Sequence, residues 1–492
     1  MTGNVTVKNH PFVKKFSDGG FFYVYDVNTN QIIEVEKPVY DIIDEYDDDN
    51  HHRLDDKYRE AYNQIEKVWK DHGLFSGFRP QKVTLGVKGT DGVKALHKKG
   101  FRQLVIEISK KCNLNCRYCF TSGKYSNPGT SGMHMSSENC KKAIDFFCER
   151  AVTSEQPFIT LYGGEPLIRF DLIKEAVEYV KKKYGRKKYS FNLTTNGTLF
   201  NKENLDFFIR NDFYLMVSLD GPEIINDRYR LYKNGKGTFK RIMRNLEFIK
   251  RYNSDYYSNR VSISSVISPP YDHIDDILDF FSTDDTLKEI KGKIRSSVVE
   301  TRGISFIEDF ALEDSLKDFP NVFDTFNERL KKSIICGDLD FLTIEKKKVY
   351  MTLYNLARRP LKRLYEYVHP LGACHIGLRR LFVDTDGNFY ICERVHNNYR
   401  IGCIDKGFDY ERIVYYYRKF EDVLDDCRNC WAISHCERCW ATIGDIEEFS
   451  GKVKEEFCSV NKKIIEKAFK LYTQLLSEDP DCLKVFKDVV IG

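Results

Sequence analysis

Three cysteines in the run Lys111-Cys112-Asn113-Leu114-Asn115-Cys116-Arg117-Tyr118-Cys119 stand with three and then two residues between them. Thiolates at that spacing can ligate three irons of a four-iron cluster and leave the fourth iron to a non-protein ligand. A zinc knuckle or a set of buried structural thiols would use the same spacing. A second cysteine group lies towards the C-terminal end. Cys374 is followed by twelve residues, Gly387, four more residues and Cys392; Cys427, Cys430, Cys436 and Cys439 are separated by two, five and two residues, and Cys458 follows. Paired-knuckle zinc sites usually place roughly 15 to 20 residues between their pairs, so the five-residue spacer strains a single shared site. Two separate sites divide these ligands more easily.

The elements that position these cysteines follow from periodicity. Short apolar runs at 104–108, 158–162, 190–193, 214–219 and 261–267, with amphipathic helical windows between them, predict a parallel sheet of βα units. A sixth strand is expected near 294–299. The first cysteine run falls just after the first of these strands, and ligands of such sheets gather at the strands' carboxyl ends. Ahead of them, residues 21–25 and 32–35 read as two strands joined by the polar turn Asn28-Thr29-Asn30, followed by helices over 39–46 and 56–72, with Tyr58, Tyr62, Ile65 and Trp69 on one face of the latter. The stretch 86–100 reads as a linker or hairpin. Helices without a chemical motif are expected over 308–368, and a terminal helix over 461–476.

Composition narrows the class of protein. A chain of 492 residues is long enough for several domains and large cores. Its 77 basic and 73 acidic residues leave no global field to attract nucleic acid or an anionic membrane. The first residues lack a basic-then-apolar signal, and no apolar run nears the ~20 residues needed to span a bilayer, so a cytoplasmic protein with no membrane partner is expected. Fifteen cysteines in a reducing compartment point to metal or redox use rather than disulfides.

With these residues in view, the Cys112, Cys116, Cys119 pattern after a strand resembles the radical S-adenosylmethionine (radical SAM) superfamily. There the open iron is chelated by the amino and carboxylate groups of S-adenosylmethionine. An electron from the reduced cluster then releases a 5′-deoxyadenosyl radical that takes hydrogen from substrate. The resemblance extends to Gly163-Gly164-Glu165-Pro166 after the second strand, which matches the motif that receives the cofactor's amino group. It also covers Thr195-Asn196-Gly197 and Ser218-Leu219-Asp220-Gly221 after the third and fourth strands. It implies that Ser218 and Asp220 lie near ribose or substrate, that Arg230 pairs with the cofactor carboxylate, and that Tyr118 packs over the cluster or adenine.

The C-terminal cysteines resemble the SPASM domain, an extension carrying two auxiliary iron–sulfur clusters. The chain departs from that pattern by having two rather than three residues before Cys439. The resemblance implies that Cys427, Cys430, Cys436 and Cys458 enclose one cluster and that Cys374, Cys392 and Cys439 hold another, whose fourth iron is open or closed by Cys403 or His369. The expected fold is therefore α/β, a partial (β/α)6 TIM-like barrel over 103–307. It carries a winged-helix-like peptide-recognition module over 1–85, a linker over 86–102, a helical bridge over 308–368, a SPASM domain over 369–460 and a terminal helix over 461–492. The leftover Cys140, Cys148, Cys336, Cys403 and Cys482 are expected to be buried, inert thiols.

Enzymes of this architecture that mature ribosomal peptides bind a leader through the N-terminal module, and form thioether or other crosslinks. The implied cofactors are S-adenosylmethionine and three four-iron clusters. The implied partners are a precursor peptide and an electron donor such as flavodoxin or ferredoxin. Anaerobic sulfatase-maturating enzymes share the architecture but place Asp after the cysteine matching Cys392, where this chain has Glu393 as a candidate base. A zinc-rich interaction protein is the alternative of another class, and a mere stabilising extension is the alternative reading of the first module.

Overall fold

The computed structural model describes residues 10–46, 56–119, 133–151, 153–185, 189–269, 271–299, 312–336, 349–361, 363–395, 398–444, 449 and 451–486. Strands β1 (Val13–Asp18), β2 (Phe21–Asp26) and β3 (Gln31–Val35) form an antiparallel sheet in that order. β1 is an addition to the two expected strands; its sequence VKKFSD lacks a clean alternation, and only Phe16 is buried. Helices Lys37–Ile42 and Arg59–His72 pack on this sheet through Val39, Ile42, Tyr62 and Ile65 around Val24. Trp69, expected on the same face, is 38% exposed.

The turn between β2 and β3 is not a solvated hairpin tip. Asp26, Asn28, Thr29 and Asn30 are all buried. Asn30 adopts a left-handed conformation with φ of 60°, and its carbonyl accepts from Arg359 Nε at 2.7 Å while Leu364 N donates to Asn28 O at 2.8 Å. The turn is thus plugged into the body of the protein, where buried backbone groups find partners.

The stretch expected as a linker follows the two-residue strand β4 (Lys82–Val83) and contains a helix, Gly89–His97. Val93 and His97 of that helix are buried against Phe101 and Phe408. Four apolar or aromatic positions in a lysine-rich segment are a weak periodic signal, which is why glycines dominated the sequence reading.

The central sheet holds β5 (Gln103–Ser109), β6 (Phe158–Gly163), β7 (Ser190–Thr195), β8 (Tyr214–Ser218), β9 (Val261–Ile267) and β10 (Ile294–Val298), all parallel and in sequence order. Helices Ser137–Cys148, Phe170–Tyr184, Lys202–Arg210, Phe239–Tyr252 and Ile274–Thr283 occupy the connections. Leu104, Ile106 and Ile108 enter the main core, whereas Val105 joins Tyr162, Phe382 and Tyr390 in a cluster on the opposite face. This two-sided burial is the mark of a parallel sheet with helices on one side and a filled inner face on the other. It is the mixed α/β architecture of a partial TIM-like barrel.

Beyond the bridge, whose helices are Leu312–Ile335 and Val349–Ala357, β11 (Tyr367–Val368) pairs with β4. Then β12 (Leu381–Val383) adds in parallel to β5, with Leu381 opposite Leu104, and β13 (Asn388–Tyr390), β14 (Arg400–Cys403) and β15 (Gly407–Phe408) continue antiparallel. The cysteine-rich region therefore extends the barrel's own sheet to ten strands. The last helix, Gly451–Glu478, runs straight through the expected boundary at 460. Cys140, Cys148 and Cys482 are buried, but Cys336 is exposed and Cys403 partly so, against the expectation of inert interior thiols. Residues 300–311, which include the expected end of the barrel at 307, lie outside the described residues. No helix among the described residues is long and apolar enough to cross a membrane.

Candidate active site

The loop carrying Cys112, Cys116 and Cys119 leaves the carboxyl end of β5 and is pinned on three sides. Asn115 N donates to Leu231 O at 2.8 Å and Arg117 N to Tyr229 O at 2.9 Å, tying it to the segment after the fourth βα unit. Leu114 N points at Cys112 Sγ, 3.4 Å away. Asn196 Nδ2 donates to Asn113 Oδ1 at 2.8 Å and lies 3.6 Å from Cys112 Sγ. The three cysteines share one small cluster with Leu114, Tyr118, Tyr229 and Tyr232. Burial pushes the Cys116 thiol up to about 12, while the Arg230 guanidinium pulls it down and the sulfurs of Cys119 and Cys112 push it further up.

Gly163 and Gly164 serve this loop directly. Gly164 N donates to Ser109 O at 2.7 Å and Glu165 N to Lys111 O at 2.9 Å. A Cβ on Gly163, whose φ is 135°, would stand 2.2 Å from Ser109 O, and one on Gly164 would stand 2.6 Å from Lys111 O. The glycines thus admit the backbone of the cysteine loop itself. Glu165 is fully buried: its carboxylate accepts from Leu167 N at 3.0 Å, Thr195 Oγ1 at 2.9 Å and Asn196 N at 2.7 Å. Burial raises its pKa to about 6 against the pull of those donors. Pro166 opens a short 3₁₀ turn that Glu165 caps. Glu165 therefore locks the end of β6 to the end of β7 and, through Asn196, to Cys112.

Tyr118, Asp220 and Arg230 form a buried chain. Tyr118 Oη donates to Asp220 Oδ2 and accepts from Arg230 Nη1, the latter at 2.8 Å. Asp220 Oδ1 accepts from Val266 N at 3.0 Å, so this carboxylate is committed to protein partners. Arg230 is 6% exposed and its Nε is buried without a hydrogen-bond partner, a cationic donor left over beside Cys116. Ser218 is half-buried at the end of β8, in register with Ser264.

The C-terminal cysteines separate into two groups. Cys427, Cys430, Cys436 and Cys458 lie within electrostatic reach of Arg438, which is 1% exposed. Burial opposes the charge on Arg438, and the four sulfurs more than offset it, so its pKa lies above the ordinary arginine value. Its Nε and Nη2 have no hydrogen-bond partner. Cys374, Cys392 and Cys439 form the other group. Burial pushes Cys392 up to about 12, and the neighbouring Glu393 carboxylate adds to that. Cys403 stands across from Asn388 and Gly407 in the β14 hairpin, and His369 is exposed with its ring 5.6 Å from that of His375.

Glu393 faces Arg380, whose Nη1 donates to its Oε1, while Oε2 is buried without a partner. Arg380 in turn reaches Gln103 Oε1 at 3.0 Å and Gln103 reaches Thr160 Oγ1 at 2.8 Å, which ties Glu393 to the inner face of β5 and β6. Tyr162 packs against Val105, Phe382 and Tyr390, and its hydroxyl is raised by burial and by the charges of Glu393, Cys119 and Glu107. Glu107, also on β5, is 7% exposed and accepts from Thr385 N at 3.3 Å. The sequence reading passed over Arg438, Tyr162 and Glu107; only Arg438, set inside the spacing that departs from the SPASM pattern, carried a visible signal.

Among the described residues no three His, Cys, Asp or Glu side chains stand as ready ligands of a single metal ion. The donor sets fit clusters on another ground. Both Arg230 and Arg438 are buried cations with unpartnered donors and with cysteine sulfur among the charges they feel, an arrangement that is costly beside neutral thiols and favourable beside thiolates. Residues 106–281 match the model of the Radical SAM superfamily.

The chain carries a radical SAM domain. It is an enzyme, and membership implies S-adenosylmethionine and a four-iron cluster as cofactors. It is 34% identical over 193 residues to a cysteine-type anaerobic sulfatase-maturating enzyme of Clostridium novyi (strain NT), covering 38% of this chain and 49% of that enzyme. The chain thus spans about half the length of that relative. It is 22% identical over 394 residues to the radical SAM cyclopropyl synthase TigE of Paramaledivibacter caminithermalis, covering 77% of this chain and 76% of that protein. The solved structure of native anSMEcpe with bound AdoMet covers 79% of this chain and 100% of its own, at a TM-score of 0.57 and 20% identity, and shares the fold.

Proposed function

We propose that this radical SAM enzyme matures a ribosomally made precursor peptide by forming a crosslink, a cysteine thioether in the simplest case. The observation that carries the reading is Glu393: a half-buried glutamate whose Oε2 is buried without a partner, directly after Cys392 and within electrostatic reach of Tyr162, as Cys119 is. A base and a group of only three cysteines, next to a radical source, suit a reaction in which a substrate thiolate is held while a neighbouring carbon loses hydrogen. When bound, the cofactors supply one-electron cleavage of S-adenosylmethionine and hydrogen-atom abstraction.

The chain's own residues do the rest. Glu165 and Asn196 hold the Cys112 loop, Arg230 presents its free Nε towards an anion, and Gly163 and Gly164 keep the loop close. Glu393 accepts the proton of the substrate thiol, the carbon gives up its hydrogen as an atom, and the one surplus electron of carbon–sulfur bond formation would pass to the auxiliary clusters that the C-terminal cysteines hold. Leader recognition is assigned to the β1–β3 sheet, whose β3 edge has no strand neighbour among the described residues. Cys427, Cys430, Cys436 and Cys458, and Cys374, Cys392 and Cys439, are assigned to two auxiliary four-iron clusters. A flavodoxin- or ferredoxin-type donor supplies electrons in the reducing cytoplasm.

The relation to the Clostridium novyi enzyme and the acidic residue after Cys392 favour a second reading, oxidation of a sulfatase cysteine to formylglycine. Anoxic incubation of the reconstituted enzyme with a cysteine-containing precursor peptide and with a sulfatase peptide separates them by mass spectrometry. Loss of two hydrogens with sulfur retained and the thiol blocked supports the crosslink. Loss of sulfur with a new aldehyde, on the sulfatase peptide alone, overturns it in favour of formylglycine.

A further inference from the structure

Arg438 occupies a position that packing alone does not explain. Its side chain is among the largest fully buried ones in the protein, in the company of Trp440, Tyr25 and several phenylalanines. Among the described residues no carboxylate pairs with it, and its Nε and Nη2 donate to nothing. It stands two residues after Cys436 and directly before Cys439, so its buried, unpartnered donors belong to the loop that carries these candidate ligands. Its backbone is closely packed: a Cβ on Gly372 would stand 2.4 Å from Arg438 O. Asn461 Nδ2 donates to Cys436 Sγ at 3.2 Å, a second donor on the same sulfur set.

We infer that Arg438 is a positioning residue that sets the reduction potential of a four-iron cluster held by Cys427, Cys430, Cys436 and Cys458. The inference rests on the assignment of that cluster under the proposed function. Reduction adds one electron and no proton to the cluster, and the added negative charge is stabilised by a fixed cation in a low-dielectric site. Nearby charge and hydrogen bonds to cluster sulfur are established levers on potential. The cation therefore raises the potential and makes this cluster the easier one to reduce. Arginine suits the task because its planar fork offers donors to more than one sulfur.

The test is an electrode-poised, EPR-monitored redox titration of the reconstituted full-length protein. It is carried on a Cys112→Ala, Cys116→Ala, Cys119→Ala background so that only auxiliary signals remain. Arg438→Met is expected to keep its iron and to lower the reduced-to-oxidised ratio at fixed potential at least tenfold, which is about 59 mV for a one-electron couple. Arg438→Lys is expected to restore most of that ratio. A Met variant with full iron and an unchanged midpoint overturns the inference. Should the Met variant lose about four irons, the content of one cluster, retention in the Lys variant supports a requirement for charge, and loss in both overturns it in favour of mere packing. If the background protein with Arg438 intact holds no iron, the cluster assignment itself has failed, an outcome distinct from a midpoint that does not move.

Discussion

His435 Nε2 meets Asn30 Oδ1 at 3.1 Å across 405 residues of sequence. The same oxygen accepts from Tyr25 Oη at 2.9 Å, and Asn30 Nδ2 donates to Pro360 O at 3.2 Å. Burial, helped by Arg359, pushes the His435 imidazole down to about 3, so it is neutral and carries its proton on Nε2. His435 immediately precedes Cys436. The turn that starts β3 is thereby bonded to the loop that carries one of the candidate cluster ligands.

Asn30→Ala removes three side-chain hydrogen bonds and places a non-glycine, non-Asx residue at positive φ. A loss of about 3 kcal/mol is expected, from unsatisfied buried partners and backbone strain together. Chemical denaturation gives the size, and hydrogen exchange should show β1–β3 and the segment around His435 losing protection together. Loss confined to β1–β3 would show that the two are not coupled.

Gly164→Ala drives a methyl group into the backbone of Lys110 and Lys111, with nothing flexible to give way. The cysteine loop must shift, at about 2 to 3 kcal/mol. Iron retained by the first site after reconstitution is expected to fall, and the yield of 5′-deoxyadenosine with it, while Gly451→Ala, whose Cβ meets nothing within 4 Å and whose backbone is not left-handed, serves as the control for general handling.

Glu107 provides a pH dependence whose sign is fixed. Burial raises its carboxyl from 4.5 to about 7, with Lys110 pulling the other way. A folded value above the unfolded one means that the unfolded state releases its proton first as pH rises. Stability contributed by this group is full below pH 4.5 and is lost by pH 7, a drop of about 3 kcal/mol. Glu107→Gln keeps an acceptor for Thr385 N and removes the titration. The variant should be the more stable protein at pH 8 and should match the parent near pH 4.5, as read from anoxic denaturation midpoints.

Glu393→Gln leaves the cysteine groups intact and replaces the unpartnered carboxylate oxygen. Cleavage of S-adenosylmethionine in the absence of peptide is expected to be unchanged, while peptide modification falls by about 10²-fold, the usual worth of a positioned base. Equal loss of both would place Glu393 in the support of the fold through Arg380 instead.

The barrel was legible because its strands are short segments rich in β-branched and apolar residues and closed by glycine or polar turns, such as Tyr214–Ser218 and Val261–Ile267. The cysteine loop and Gly163-Gly164 could be placed at strand ends on the same grounds. Two kinds of feature escaped. β1 and the Gly89–His97 helix are held by distant partners, Phe469 against Phe16 and Phe408 against His97, and so leave little trace in their own periodicity. Arg438 and Glu107 acquire their character from burial alone, and burial of a charged residue is invisible until the chain around it is folded.

The parallel pairing of β12 with β5, Leu381 opposite Leu104, has a consequence for how this chain can be taken apart. A protein truncated before residue 369 would not be a barrel freed of an appendage. It would be a barrel with its first strand stripped of a neighbour, baring a row of backbone donors and acceptors beside fully buried Leu104 and Ile106, and such edges pair with whatever chain is nearest. The cysteine-rich region is masonry as well as chemistry: exchanging it between enzymes requires a donor that carries its own matching wall strand.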